Sequence, residues 1–155
     1  MPLLVNIIWI ATWIWFIFTG LFLAYWDLCE HRLPNRLVAS ALIGALVGFV
    51  LLAGTAGMWG SLVRALTAGL VVFAVYLVIH FLGGMGMGDV KYSLVIGMYL
   101  GWLGWEALWW GTLASFVLAS IVVFIGMIMR RRSSHLPFGP FMTVGVLIAA
   151  VLPTA

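Results

Sequence analysis

The sequence predicts an all-α membrane protein, a polytopic bundle of about six transmembrane helices with both termini outside. Three observations predict it. Of the 155 residues, 66% are hydrophobic and only 7% are charged, against about 25% charged in an ordinary soluble domain. Apolar runs recur along the chain, most of them near the roughly 20 residues that a spanning helix needs. The few cations gather at the ends of those runs. The length suits one compact bundle, so residues 1–155 read as a single membrane-embedded domain.

The first span is Leu4 to Trp26, followed by the polar stretch "DLCEHRLPNR". No basic segment precedes it and its apolar run is long, so it reads as a helix and not as a cleaved signal peptide. Leu37 to Leu52 is a shorter second span, closed by "AGTAGMWGS". Leu62 to Leu82 is the third and ends in glycines. The fourth runs from about Val90 to Leu103, the fifth from Ala107 to Met129, and the sixth from about Phe138 to Leu152. Fourteen residues in the fourth give roughly 21 Å, against a hydrocarbon core of roughly 30 Å. The sequence "GWLGWE" after it reads as an interfacial turn. The fourth helix is therefore expected to start below the membrane surface and leave a water-accessible dent beside the glycine run.

Six spans put the loops after the first, third and fifth on one side, with Arg32, Arg36, Lys91 and Arg130, Arg131 and Arg132. The other side holds only Arg64. The positive-inside rule makes the first side cytoplasmic in an inner (plasma) membrane. Trp59, Trp102, Trp105, Trp109 and Trp110 fall on the outer side, as an aromatic belt would. The net charge of +3 does not indicate nucleic acid, because the cations flank apolar runs and line no polar face. One cysteine, Cys29, allows neither an internal disulfide nor a CxxC zinc pair. No metal and no organic cofactor is expected. His80 reads as a packed or hydrogen-bonded histidine. Gly97 and Gly101, like Gly44 and Gly48, are spaced for close helix contact.

The chemistry lies in the two aspartates. Asp27 ends the first span, and Asp89 stands at the start of the fourth, in "GGMGMGDVKY". Each alone is explained as an interfacial residue, and Asp89 also suits a helix N-terminus. Together they fall on one side at similar membrane depth, where a carboxylate costs up to about 3 kcal/mol near a helix centre and is by default a functional candidate. The four glycines between Gly83 and Gly88 weaken helix by roughly 1 kcal/mol each relative to alanine. They also let an extended peptide approach. Two facing carboxyls that share one proton can hydrolyse an amide: the ionised one takes a proton from water while the neutral one hydrogen-bonds the scissile carbonyl.

At these residues the sequence resembles the type IV prepilin peptidases, intramembrane aspartic proteases of the GxGD class. Gly86-Met87-Gly88-Asp89 matches the GxGD motif and continues into Val90-Lys91, Asp27 followed by "LCEHRLPN" resembles the first catalytic region, and "LPFGPF" (Leu136 to Phe141) resembles the opening of the last helix. The resemblance covers most of the chain. It implies catalytic Asp27 and Asp89, and removal of the short basic leader from type IV prepilins, Flp-type prepilins or pseudopilins at the cytoplasmic face. It implies as partners those substrate helices, the bilayer, and a pilus assembly or secretion machinery. Longer members carry a zinc domain with paired CxxC motifs that methylates the new amino terminus. Nothing like it fits here, so cleavage without methylation is expected, as in the compact Flp-type or archaeal preflagellin-type peptidases.

Substrate-binding candidates surround the pair. Gly86 and Gly88 either admit a substrate strand or serve packing. Glu30 either meets a basic leader or is an ordinary loop acid. Pro137 and Pro140 either widen access or simply start the sixth helix. Pro34 and Asn35 are expected to end a loop and cap the second helix, and Lys91 to snorkel at the interface. Two other functions use the same acids. A small proton-coupled transporter would use them as a relay, though both sit at one face with only Glu106 beyond. A catalytically silent assembly scaffold would not use them at all.

Overall fold

The computed structural model describes residues 2–30, 33–83, 85–128 and 138–152, and these form six helices. They are α1 (Pro2–Glu30), α2 (Asn35–Ala56), α3 (Trp59–Phe81), α4 (Met87–Leu103), α5 (Trp105–Ile128) and α6 (Gly139–Val151). The predicted count of six holds. α1, α2, α3 and α5 are long and apolar enough to cross a membrane, and α6 is a shorter apolar helix. The charges expected to fix sidedness at Arg32 and Arg130 to Arg132, and the candidate Pro137, lie outside the described residues.

α4 organises the bundle. Its residues from Val95 to Trp102 are all buried, so it presents no lipid-facing stripe. It contacts α2, α3, α5 and α6 and reaches α1 where the Tyr99 hydroxyl donates to the Thr12 carbonyl at 3.0 Å. Its closest neighbour is α3. A Cβ on Gly97 would lie 2.8 Å from the Gly69 Cα, and one on Gly101 would run into Ala68. The small-residue spacing thus brings two backbones together, where dispersion holds apolar helices in a membrane. With 17 residues, α4 spans roughly 26 Å, short of the hydrocarbon core as expected, though it begins three residues earlier than Val90.

The far end of α4 is closed by chemistry. Gly104 takes φ 145°, a left-handed value that breaks the helix before α5. Arg64 of α3 then donates from Nε to the Gly101 carbonyl at 2.7 Å and from Nη2 to the Trp102 carbonyl at 2.9 Å. A cation on the last carbonyls satisfies acceptors the helix leaves open and suits its negative end. This explains the lone arginine on the side predicted to be poor in charge. The aromatic belt needs one correction. Trp59, Trp105, Trp109 and Trp110 are exposed, but Trp102 is 4% exposed and stacks on Phe49 at 4.5 Å. Trp102 belongs to the core because α4 is central.

α2 is longer than the predicted Leu37 to Leu52, and its N-cap is Pro34 rather than Asn35. Proline suits that place because it offers no N–H. The Asn35 side chain is thereby released, and its Oδ1 accepts from Lys91 Nζ at 3.0 Å. His80 is hydrogen-bonded as expected, its Nδ1 lying 2.7 Å from the Met85 carbonyl across the turn that follows α3.

Candidate active site

Three helix ends meet at the other end of the bundle: the C-terminal turns of α1 and the N-termini of α4 and α6. Asp27 sits three residues before the end of α1 and is 5% exposed. Asp89 sits in the first turn of α4. Both line one cavity of ≈ 270 Å³ with Leu33, Asn35, Gly86, Met87, Gly88 and Lys91. The carboxyls are close enough for the charge of Asp27 to act on Asp89. Two like charges so placed repel each other, so the pair favours a state with one carboxyl neutral.

Each acid is held by a helix N-terminus. Asp89 follows the N-cap Gly86 by three positions and accepts from the Gly86 backbone N–H, the return half of a capping box. Asp27 Oδ2 accepts from the Gly139 N–H at 2.9 Å in a buried hydrogen bond, and Gly139 is the first residue of α6. The two positive helix ends favour negative charge at the site. The difference lies in what remains. Asp89 Oδ1 is buried and has no hydrogen-bond partner among the described residues.

The other sequence candidates separate clearly. Gly88 lies against Leu33, whose Cβ would be 2.9 Å from an added Cβ, so packing alone demands glycine there. Gly86 is exposed, and an added Cβ would meet only Asp89 Oδ2, at 3.5 Å. Glu30 is exposed at the end of α1 and does not line the cavity. Lys91 does line it, with its ammonium bonded to Asn35 at the rim. Pro140 lies in the first turn of α6 and opens the helix rather than breaking it. No group of three or more His, Cys, Asp or Glu residues that could hold a metal occurs among the described residues.

Sequence reasoning missed Gly139 and Leu33. The segment "LPFGPF" was singled out, but its glycine was not weighed. The signal was there: proline at 140 removes one first-turn donor, and glycine at 139 is the residue that lets a carboxylate approach. An added Cβ on Gly139 would stand 3.0 Å from Asp27 Oδ2. Leu33 touches the positions of Gly88 and Gly139 alike and separates α4 from α6 beside the acids.

A family model described as the type IV leader peptidase family matches residues 10–129. The chain belongs to that family. Its matched region contains Asp27 and Asp89 and stops before Gly139. A prepilin leader peptidase/N-methyltransferase of Aeromonas hydrophila is 33% identical over 133 residues, 82% of this chain and 44% of that protein. A protein of the same name from Aeromonas salmonicida strain A449 is 34% identical with the same coverage. The chain therefore spans less than half the length of these curated relatives. No solved structure matches it.

Proposed function

We propose that this chain is an intramembrane aspartic endopeptidase that removes the short basic leader from prepilins or related pseudopilins at the cytoplasmic membrane face. The observation that carries the reading is the convergence of Asp27 and Asp89, from α1 and α4, in one cavity. Family membership and the relatives' printed name supply the substrate class.

In the proposed reaction the dyad holds one proton. The ionised carboxyl takes a proton from a water molecule, and the oxygen of that water attacks the scissile carbonyl carbon. The protonated carboxyl hydrogen-bonds and then protonates the carbonyl oxygen, giving a neutral tetrahedral intermediate. Its collapse breaks the C–N bond: the proton held by the first carboxyl passes to the leaving nitrogen, and one hydroxyl proton of the intermediate returns to the second carboxylate, restoring the singly protonated dyad and leaving a carboxylic acid and an amine. The unpartnered Asp89 Oδ1 is a place for that water or carbonyl to bind. Substrate must be extended here, because a helix ties its carbonyls into its own hydrogen bonds. Gly86, whose surroundings leave room, and Gly88 lie where such a strand would run.

The relay reading fits less well. Glu106 lies in the first turn of α5, just beyond the opposite end of α4, with the buried run from Val95 to Trp102 in between. We further propose that this segment by itself cleaves without N-methylation, because its single cysteine, Cys29, forms no paired CxxC site within it.

The test is co-expression with a tagged prepilin, reading leader loss by gel shift and the new terminus by mass spectrometry. Asp27→Asn and Asp89→Asn are each expected to abolish cleavage at normal membrane levels, and the product terminus to be unmethylated. Either variant cutting at the wild-type rate would sink the dyad. Sidedness has its own probe, since Cys29 is the only cysteine and is exposed near the site. A membrane-impermeant maleimide should label it only when applied from the cytoplasmic side.

A further inference from the structure

The Gly139 amide is the end of a buried chain of hydrogen bonds that starts on α4. Tyr92 is one turn beyond Asp89 on the same helix. Its hydroxyl lies 2.9 Å from Thr143 Oγ1. Thr143 in turn donates to the Gly139 carbonyl at 3.1 Å. A threonine hydroxyl has one proton, so Tyr92 must be the donor to Thr143. The Gly139 N–H then donates to Asp27 Oδ2. The chain runs Tyr92, Thr143, Gly139, Asp27, and joins α4, α6 and α1 beside both acids.

The surroundings leave this arrangement little freedom. Gly20, on α1 two turns before Asp27, faces the same hydroxyl pair. A Cβ there would stand 2.7 Å from Thr143 Cγ2 and 3.2 Å from the Tyr92 hydroxyl oxygen. In the first turn of α6, the Phe141 and Met142 amides turn back to the Phe138 carbonyl, and Pro140 has none. Gly139 therefore provides the one amide of that turn directed at Asp27. A threonine bonding back to its own helix is common, and it gives the buried Tyr92 hydroxyl the partner that an apolar bundle requires, tying α4 to α6 at this point.

We propose that Gly139, braced by Thr143 and Tyr92, is a positioning residue for Asp27, fixing one carboxyl oxygen and with it the orientation of the acid at the cavity wall. The inference rests on the dyad reading above, and its test separates the two. The purified chain in nanodiscs would be assayed on the tagged prepilin for kcat and KM, with thermal stability measured alongside. Gly139→Ala should lower kcat by about 100-fold with KM nearly unchanged, because a displaced catalytic group costs rate and not binding. Thr143→Val and Tyr92→Phe should each lower kcat by about 10-fold. Thr143→Ser, which keeps the hydroxyl, should stay within about twofold of wild type.

Wild-type kcat in Gly139→Ala or Thr143→Val would overturn the positioning role, as would Thr143→Ser falling with Thr143→Val. If Gly139→Ala does not fold, the Thr143 pair decides, since valine and threonine have nearly the same shape. A wild-type chain that leaves the prepilin intact sinks the dyad reading and this role with it. An active wild type with an inactive Asp27→Asn and an unchanged Thr143→Val sinks this role alone.

Discussion

The two ends of α4 are built from the same materials and do opposite things. At the C-terminal end a charged side chain, Arg64, donates to two carbonyls of the helix end. At the N-terminal end a charged side chain, Asp89, takes one amide and lines a cavity, where its Oδ1 has no partner among the described residues. Both residues would count as polar intrusions in an apolar bundle. What separates structure from chemistry is what each side chain faces: Arg64 is directed at helix carbonyls, while Asp89 lines a cavity. A charge paired with the end of a helix stiffens a fold, while a carboxyl on a cavity wall is open to a ligand.

The contrast predicts different kinds of damage at the two ends. The largest effect belongs to the open end: Asp27→Asn and Asp89→Asn should each cut the cleavage rate by about 10²–10⁴-fold. Neither should lower the melting temperature, because amide replaces carboxyl at equal size and relieves repulsion between the acids. A melting temperature that falls with activity would make the open end structural too. The dyad also implies a bell-shaped dependence of kcat/KM on pH, since only the singly protonated pair is competent. A profile flat from acid to alkaline pH would remove the shared proton.

At the closed end the effect is on stability. Arg64→Met strands the Gly101 and Trp102 carbonyls and should cost about 1–3 kcal/mol, read as a lower melting temperature with kcat per folded molecule unchanged. Gly101→Ala, which forces a Cβ toward Ala68, should cost about 1–3 kcal/mol by overpacking. A loss of kcat in either variant without loss of stability would mean that the two ends communicate through α4. The smallest effect is at the rim of the cavity. Lys91 is exposed and bonded to Asn35, so Lys91→Met should change stability by within about 0.5 kcal/mol, and any change in KM would identify Lys91 as a substrate contact.

Much of this was legible without coordinates. Hydropathy gave the six helices, four of them long and apolar enough to cross a membrane, because a bilayer forces each apolar run to satisfy its own backbone. The short fourth helix, the break at "GWLGWE" and the close glycine contacts followed from local composition. The two aspartates stood out because carboxylates are scarce in such a chain. Less legible was the difference between a belt tryptophan and a core one: Trp102 and Trp105 are three residues apart, and only the central position of α4 buries the first. Asn35 misled for a similar reason. Its sequence context suits an N-cap, but proline already fills that role and Lys91 offers the side chain a better partner.

The sequence by itself determined the solvent, the helices, and the pair of acids that do not belong in that solvent. Those are properties of single segments, set by transfer free energy and hydrogen bonding within one helix. Tertiary structure alone decided that α1, α4 and α6 end at one place, that Arg64 closes one end of α4, and that a glycine amide more than a hundred positions away holds Asp27. These depend on where separate helices cross and which small residues let them approach. No run of neighbouring residues encodes such contacts, because each is a sum of close packing and paired polar groups contributed by several helices at once.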